Sequence, residues 1–516
     1  MSAIDDFIET AVPETAAADA STADRPQRAG RRSDALKIVF GKTAQTILLV
    51  AVFLTIPLFV PRFASRLSVK GQTYREMLPS PRELVSFKGS ETAPAAAEMP
   101  GTPAATEETQ SAATDVVGAG PALTARDIED PARALEPFYA ALARTDAKQP
   151  GAITRITHYG DSPITNDGIT APARRLLQER FGDAGHGFIL IDRPWAWYGH
   201  QAITFTSGGG WTNDSLMNPG TGDGDFGLGG VSFRATGAGK YARFAPAADG
   251  DTGKNFSRME VYYLRQPDGG QFSASVNGGG AQTVSTKGDA VESGFYEVKA
   301  TPNAANTFEI RTVAGGVRLF GAVLENEGPG VVYDSLGVNG AYAGLLATVM
   351  DEQHWAAQLQ HRRPDLVIIN YGTNESQYAS EKQMARYDQD LREVIRRVRA
   401  ALPEASLLVV SPMDRGTRAG GRVVTLASIP KIVEMQRRVA LESGCAFFNL
   451  FEAMGGEGTM AKWHEGKKHL VGADLTHPNG EGAEMVGALI YRAIADGYDR
   501  YKTRTDAGKP QNIARN

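Results

Sequence analysis

Residues 153–162 read Ile153-Thr154-Arg155-Ile156-Thr157-His158-Tyr159-Gly160-Asp161-Ser162. The stretch Ile153–Tyr159 has the β-branched and aromatic residues of a strand, and a turn opened by Gly160 follows it. A helix is predicted beyond the turn, over Pro172–Phe181. Upstream, Leu135, Phe138 and Leu142 are spaced three and four apart and predict another helix. Downstream of Glu325 the pattern alternates. Strands are predicted at Val331–Tyr333, Leu366–Asn370, Leu407–Val410 and Ala446–Leu450. Helices are predicted at Leu345–Gln360, Lys382–Ala401 and Ile429–Glu442, with a last one over about Gly480–Asp496. Strands separated by helices pair in parallel and bury both faces, so the fold class is α/β.

The first strand and helix are cut off from the rest by a region of different character. Between residues 200 and 325 helical periodicity disappears and short alternating runs stand between glycine clusters. Examples are Val231-Ser232-Phe233-Arg234-Ala235, Met259-Glu260-Val261-Tyr262-Tyr263 and Phe272-Ser273-Ala274-Ser275-Val276. Many short strands with turn signals between them predict a β-sandwich. The expected domain is therefore split, with parts at 125–199 and 326–500 around an inserted sandwich at 200–325, and a tail at 501–516.

Composition narrows the function. The chain has 516 residues, 54 basic and 59 acidic, for a net charge of −5. Nucleic-acid binders carry a basic stripe, so that class is disfavoured. A single cysteine, Cys445, excludes an intramolecular disulfide framework and thiolate metal clusters. The eight histidines include no HExxH spacing, and no metal or cofactor is expected.

The N-terminal quarter reads separately. Residues 1–42 form a polar tail, and 43–61, from Thr43 to Pro61, contain no charged residue. Nineteen residues at ~1.5 Å each make a helix of about 28 Å, close to the bilayer's hydrocarbon thickness, and predict one transmembrane anchor. Six basic residues occupy the 20 positions before this run and four the 20 after it. That bias places the N-terminus in the cytoplasm and the remainder in the periplasm or outside. Residues 62–124 contain an Ala/Thr/Pro/Glu-rich stretch that cannot bury a core and reads as a flexible linker.

In open α/β sheets the chemistry lies beyond the carboxyl ends of the strands. Four segments stand at such positions or before the last helix: Gly160-Asp161-Ser162, Leu336-Gly337-Val338-Asn339-Gly340, Gly372-Thr373-Asn374-Glu375 and Asp474-Leu475-Thr476-His477. Ser162 is a candidate nucleophile, whose hydroxyl needs a base. His477 is the candidate base, with Asp474 to hold its tautomer and stabilise imidazolium. The Ser162 and Gly340 backbone N–H groups and the Asn374 amide are candidate oxyanion donors. Each segment alone is an ordinary turn or helix cap; the argument rests on all four occurring in this order.

That order resembles the SGNH (GDSL) hydrolase superfamily, whose blocks supply Ser, Gly, Asn and His. A narrower likeness is to bacterial peptidoglycan O-acetylesterases with a carbohydrate-binding-like sandwich after the first block. It is carried by His158–Ser162, Asp334–Ala341, Tyr371–Glu375 and Phe447–Gly456 followed by Met460 and Trp463. The resemblance implies a three-layer α/β/α domain, a Ser162–His477–Asp474 triad, and removal of O-acetyl groups from a cell-envelope polysaccharide. Two departures touch the substrate side. Pro163 stands where that subfamily often has His, and Asp474-Leu475-Thr476-His477 stands for its usual Asp-Gly-x-His. Alternatives of the same architecture are a polysaccharide O-acetyltransferase and a non-catalytic glycan-binding protein.

Other residues have plainer readings. Trp195, Trp197 and Trp211 cluster at the start of the insert, where they either stack on a glycan or pack a domain junction. Asp223, Asp225, Asp249 and Asp251 lack the full calcium-loop spacing and read as solvated turns. His464 and His469 read as surface residues, and Cys445 as an inert core residue.

Overall fold

The computed structural model describes residues 127–507, apart from 249, 251, 303 and 379, and a short antiparallel pair of Ser68–Val69 with Gln72–Thr73. The expected membrane anchor at 43–61, and nearly all of the tail and linker, lie outside the described residues. Among the described residues no helix is long and apolar enough to cross a membrane.

Five parallel strands form the sheet that carries the site: β1 (Ile153–Gly160), β2 (Gly330–Gly337), β3 (Leu366–Asn370), β4 (Ser406–Val410) and β5 (Ala446–Phe448). Their order is β2-β1-β3-β4-β5. The strands alternate their side chains between two cores. Ile156, Leu366, Ile368, Leu408 and Val410 face one side, and Tyr159, Val367, Ile369, Leu407 and Val409 the other. On the first side pack α1 (Glu136–Asp146), α2 (Thr170–Phe181) and the C-terminal helix α7 (Gly480–Ala507), through Phe138, Leu142, Leu177, Phe181, Val486 and Ile490. On the second pack α3 (Ala343–Thr348), α4 (Glu352–Arg362), α5 (Glu381–Ala401) and α6 (Ser428–Glu442), through Leu345, Trp355, Leu391, Val394 and Ile432. This is the α/β/α layering expected when helices cover both faces of a parallel sheet.

Register decides where the site lies. Gly160 is opposite Gly337 on one side and Asn370 on the other, so three strands end level at one edge. Gly160 permits this close approach, since a Cβ there would lie 2.7 Å from the Asn370 carbonyl oxygen. Ser162, Gly340 and Asn374 each follow one of these ends by two to four residues.

The chain between β1 and β2 forms two antiparallel sheets. One orders Gln282–Ser285, Gln271–Val276, Phe308–Ala314, Tyr241–Pro246 and Ile203–Ser207. The other orders Glu292–Lys299, Arg258–Arg265, Val317–Glu325, Val231–Ala235 and Thr212–Ser215. Aromatic rings of the two sheets meet, Phe272 edge-on to Tyr263 at 5.2 Å and to Tyr296 at 6.3 Å.

A buried ionic network ties these sheets to the parallel one. Glu325, fully buried, accepts from Arg155 (Nε 3.0 Å, Nη2 2.9 Å), from Arg362 Nη1 (2.5 Å) and from Arg258. Arg362 also donates to Asp334 through Nε (2.8 Å) and Nη2 (2.9 Å). Arg155 lies on β1, Asp334 on β2 and Arg362 on α4, whereas Glu325 and Arg258 lie on the antiparallel sheet.

Several boundaries differ from the expectations. The helix expected over Leu345–Gln360 is two, because Asp351 accepts from His354 N (2.8 Å) and starts α4 afresh. The strand expected at Ala446–Leu450 stops at Phe448, where Asn449 caps the short helix Leu450–Ala453. Gly185–Leu190, expected to precede the insert, pairs with Val317–Glu325 and joins the antiparallel sheet. The tail expected from 501 is helical to Ala507, because Tyr501 packs 5.8 Å from Tyr139 and keeps α7 anchored.

Candidate active site

Ser162 opens a four-residue helix, Ser162–Thr165, directly beyond β1. Its Oγ lies 2.7 Å from His477 Nε2, 315 residues away in the chain. His477 Nδ1 lies 2.5 Å from Asp474 Oδ2. The other Asp474 oxygen, Oδ1, accepts from the backbone N–H groups of Thr476 and His477, both at 3.1 Å. The cap-like turn and the histidine contact therefore belong to one carboxylate. Burial raises the Asp474 carboxyl, but the hydrogen bonds from His477 and Thr476 outweigh it and leave it below the usual carboxylate value. Asp474 is ionised at neutral pH and stands ready to stabilise an imidazolium.

The departure at Leu475 has a structural consequence. Leu475 sits between Asp474 and His477 with φ +57°, a left-handed conformation that costs a non-glycine residue roughly 1–2 kcal/mol. Its side chain is buried, which contributes about 1.5–3 kcal/mol and offsets that strain. Its carbonyl accepts from Gly416 N (2.8 Å), which pins the turn from the β4 side.

Gly340 and Asn374 face the same strand edge. Gly340 has φ +76°, where a side chain would be strained and its Cβ would meet Met217 at 3.4 Å. Asn374 Nδ2 donates to the Ala341 carbonyl at 2.7 Å, which fixes the amide and leaves its second N–H for another acceptor.

Glu375 is a residue whose part sequence reasoning missed. Its Oε1 accepts from Ala343 N (2.9 Å) and its Oε2 from Gly372 N (3.0 Å). One carboxyl thus joins the loop bearing Gly340 to the loop bearing Asn374. The only hint in the sequence is an acidic residue directly after Asn374 in a turn. Burial pushes the Glu375 carboxyl up to about 7 against the pull of those N–H groups. Beside it, burial and the Glu375 charge push Asp161 up to about 8, and Asp161 Oδ2 has no hydrogen-bond partner. Arg415 braces the outer side of the Asn374 turn, donating to the Thr373 carbonyl (2.6 Å), Ser376 Oγ (3.0 Å) and Gln377 Oε1 (2.6 Å).

A cavity of about 520 Å³ adjoins Gly340 and Asn374, with Met217, Tyr342, Met384 and Tyr387 among its walls.

Residues 301–485 match the GDSL-like lipase/acylhydrolase family model. The chain carries a GDSL-like acylhydrolase domain. The matched stretch holds Gly340, Asn374, Asp474 and His477; Ser162 lies ahead of it, beyond the antiparallel sheets. The chain is also similar to a solved peptidoglycan O-acetylesterase, 22% identical with a TM-score of 0.61. That match covers 72% of this chain and 99% of the other. The likeness is one of fold. A salicylyl-acyltransferase from a tetracycline biosynthetic pathway matches at 13% identity and TM-score 0.28, covering 60% of this chain and 97% of its own. A carbohydrate esterase family 2 enzyme with a carbohydrate-binding domain from Corynascus thermopiles matches at 13% and 0.25, over 51% and 95%. No curated protein matches the sequence.

Other expected residues fall outside this constellation. Trp211 is packed in the core, and Trp195 is partly buried against the same core, edge-on to Tyr198. Of the two readings left open, the burial of Trp211 favours packing, while Trp195 is only partly covered. Trp197 is exposed. Asp223 lies on an exposed turn, as expected, and accepts from Arg318 Nη1 (2.6 Å), while Asp249 and Asp251 lie outside the described residues. Asp225 is pushed up to about 6, by burial first and then by Asp223. His464 meets Arg418, and His469 Nδ1 lies 2.6 Å from the His464 carbonyl oxygen. Cys445 is buried, and burial pushes its thiol up to about 11.

Proposed function

We propose that the acylhydrolase domain is a serine esterase that removes O-acetyl groups from a bacterial cell-envelope polysaccharide, peptidoglycan first. The observation that carries this reading is the unbroken hydrogen-bonded line from Ser162 Oγ through His477 to Asp474. Ser162 Oγ attacks the acetyl carbonyl carbon and gives its proton to His477 Nε2. The oxyanion is received by the Ser162 and Gly340 N–H groups and the free N–H of Asn374. Collapse of the tetrahedral intermediate expels the sugar oxygen, which takes the proton from His477. Water then attacks the acetyl-enzyme, with His477 again as base, and acetate leaves.

The antiparallel sheets are read as an inserted, carbohydrate-binding-like sandwich, with Trp197 as the aromatic ring open to a glycan. The uncharged run 43–61 is read as a single-pass anchor, with the acylhydrolase domain on the periplasmic or outer side.

The test measures acetate release from O-acetylated peptidoglycan, xylan and exopolysaccharide by the full-length chain. Release by wild type, and its loss in a folded Ser162→Ala variant, are the expected results. Undiminished activity in that variant overturns the nucleophile assignment. Product formed only when a glycan acceptor is supplied would convert the reading to acetyl transfer.

A further inference from the structure

The turn that carries His477 is held by two segments rich in positive charge. One is an antiparallel hairpin beyond β4, Gly416–Ala419 with Arg422–Thr425. The other is the short helix Thr459–Glu465 and the loop that follows it to Ala473. All three meet at Gly416. A Cβ there would lie 2.9 Å from Leu475 Cβ, 3.2 Å from Val423 Cγ1 and 3.4 Å from Met460 Cβ. Hydrogen bonds fasten the contact: Gly416 N donates to the Leu475 carbonyl (2.8 Å) and Gly458 N to Thr425 Oγ1 (2.7 Å). Gly472 N donates to the His477 carbonyl (2.9 Å), so the loop is tied to the catalytic turn as well.

Residues 415–425 and 459–473 hold six basic side chains against one acidic, Glu465. The whole chain carries −5, so this concentration runs against its average. Pairing sharpens the contrast. On α5, Arg386, Arg392, Arg396 and Arg397 each meet a carboxylate. Arg418, Arg422, Lys462 and Lys467 are exposed, and among the described residues no carboxylate forms an ion pair with any of them. Arg418 Nη2 instead lies 3.3 Å from His464 Nε2, which joins the hairpin to the helix. At the hairpin's root, Arg415 lies in the field of the Asp161 and Asp474 carboxylates. The cationic surface therefore starts beside the triad and runs outward from it.

Its place identifies the part of the substrate it meets. The leaving oxygen of the ester must come within reach of His477 Nε2, which protonates it. The sugar attached to that oxygen lies on the same side, and the polymer continues past the segments that hold the His477 turn. One carboxylate on the substrate would engage one cation. Four unpaired cations spread over hairpin, helix and loop complement a charge repeated along a chain.

We propose that this surface is a subsite for an anionic polysaccharide, one whose own sugars carry carboxylates, and that it draws the acetylated glycan to Ser162. The inference rests on the esterase reading of Ser162, His477 and Asp474. It sharpens which glycan they serve, placing a charged sugar chain ahead of peptidoglycan, whose carboxylates hang on peptides.

The test measures kcat/KM for acetate release by the full-length chain from O-acetylated polygalacturonate and from acetylated glucomannan, an uncharged control. The variant Arg418→Glu/Arg422→Glu/Lys467→Glu reverses the charge. At low salt it should lower the polygalacturonate-to-glucomannan ratio about ten-fold or more, chiefly through KM. Raising NaCl to about 0.5 M should lower the same ratio in wild type, a measurement that needs no variant to fold. A ratio unmoved by both charge reversal and salt overturns the anionic subsite and leaves the esterase reading intact. So does a loss seen only on O-acetylated peptidoglycan and abolished when an amidase removes its peptides, which assigns the cations to peptide carboxylates. Absence of Ser162-dependent acetate release from every substrate, p-nitrophenyl acetate included, overturns the esterase reading itself.

Discussion

Two hydrogen-bonded pairs of equal length do opposite work in this molecule. His477 Nδ1–Asp474 Oδ2 and Arg362 Nη1–Glu325 Oε1 are both 2.5 Å. The first pair is about half exposed, with side chains 46% and 51% accessible; the second is buried, at 3% and 0%. Water screens the first, so its worth to stability is only about 0–1 kcal/mol. The second has given up its hydration, and only the full set of partners compensates it. The site is thus cheap to alter and chemically decisive, whereas the junction between the sheets is costly to alter and chemically silent.

Breaking the exposed pair should give the largest effect on rate. Asp474→Asn keeps the shape of the side chain but offers His477 the wrong tautomeric partner. Activity is expected to fall about 10⁴-fold, while the melting temperature hardly moves. Steady-state kinetics alongside thermal unfolding check this; a large loss of stability would show that the pair supports the fold.

Breaking the buried pair should do the reverse. Glu325→Gln leaves Arg155, Arg258 and Arg362 facing a neutral group in the interior. Loss of one partner of a buried pair costs about 3–5 kcal/mol. Denaturant unfolding should show that loss, while activity per folded molecule at low temperature stays near wild type. Unchanged stability would mean that the network is not what joins the two kinds of sheet.

The comparison also shows what the sequence disclosed. The layering was legible because Leu366–Asn370 and its fellow strands are short apolar runs with helices between them, a pattern that only a covered parallel sheet satisfies. The meeting of Ser162 with His477 was legible from their places at a strand end and before the last helix. The break at Asp351 was not, because Leu345 and Trp355 keep apolar faces that read as one helix across it. Nor was the start of the antiparallel region at Gly185, because a strand's partner is fixed by tertiary pairing rather than by its own composition. Trp211 could be a glycan platform or a packing residue from sequence alone, and its burial favours packing. Glu375 was missed because its role depends on two loops 30 residues apart in the chain arriving at one carboxyl.

Glu375 lies between the two extremes, partly buried, tied to two backbone N–H groups and adjoining the site like Asp474. Glu375→Gln retains one acceptor but turns an N–H toward either Ala343 N or Gly372 N. The loops bearing Gly340 and Asn374 should then lose their common register. Activity is expected to fall toward the ~10²-fold loss seen when one oxyanion donor is removed, in kcat more than in KM. A KM effect alone would place Glu375 in substrate binding instead.

The smallest expected effect separates the two aspartates nearest the reacting pair. Asp474 is exposed and held below its ordinary range, whereas Asp161, next to Ser162, is buried and held near 8. Below about pH 4 the Asp161 carboxyl is protonated in both folded and unfolded chains. Between its ordinary value of 3.8 and about 8 the unfolded chain releases that proton while the folded chain keeps it. Stability contributed by the neutral group is therefore lost progressively as pH rises through this window. Glu375 acts in the same direction up to about 7. Asparagine at 161 does not titrate, so the melting temperature of Asp161→Asn, relative to wild type, should climb from pH 4 to pH 8 and then level off. A difference that stays constant over that range would mean Asp161 is ionised in the fold, with Arg415 rather than burial setting its charge.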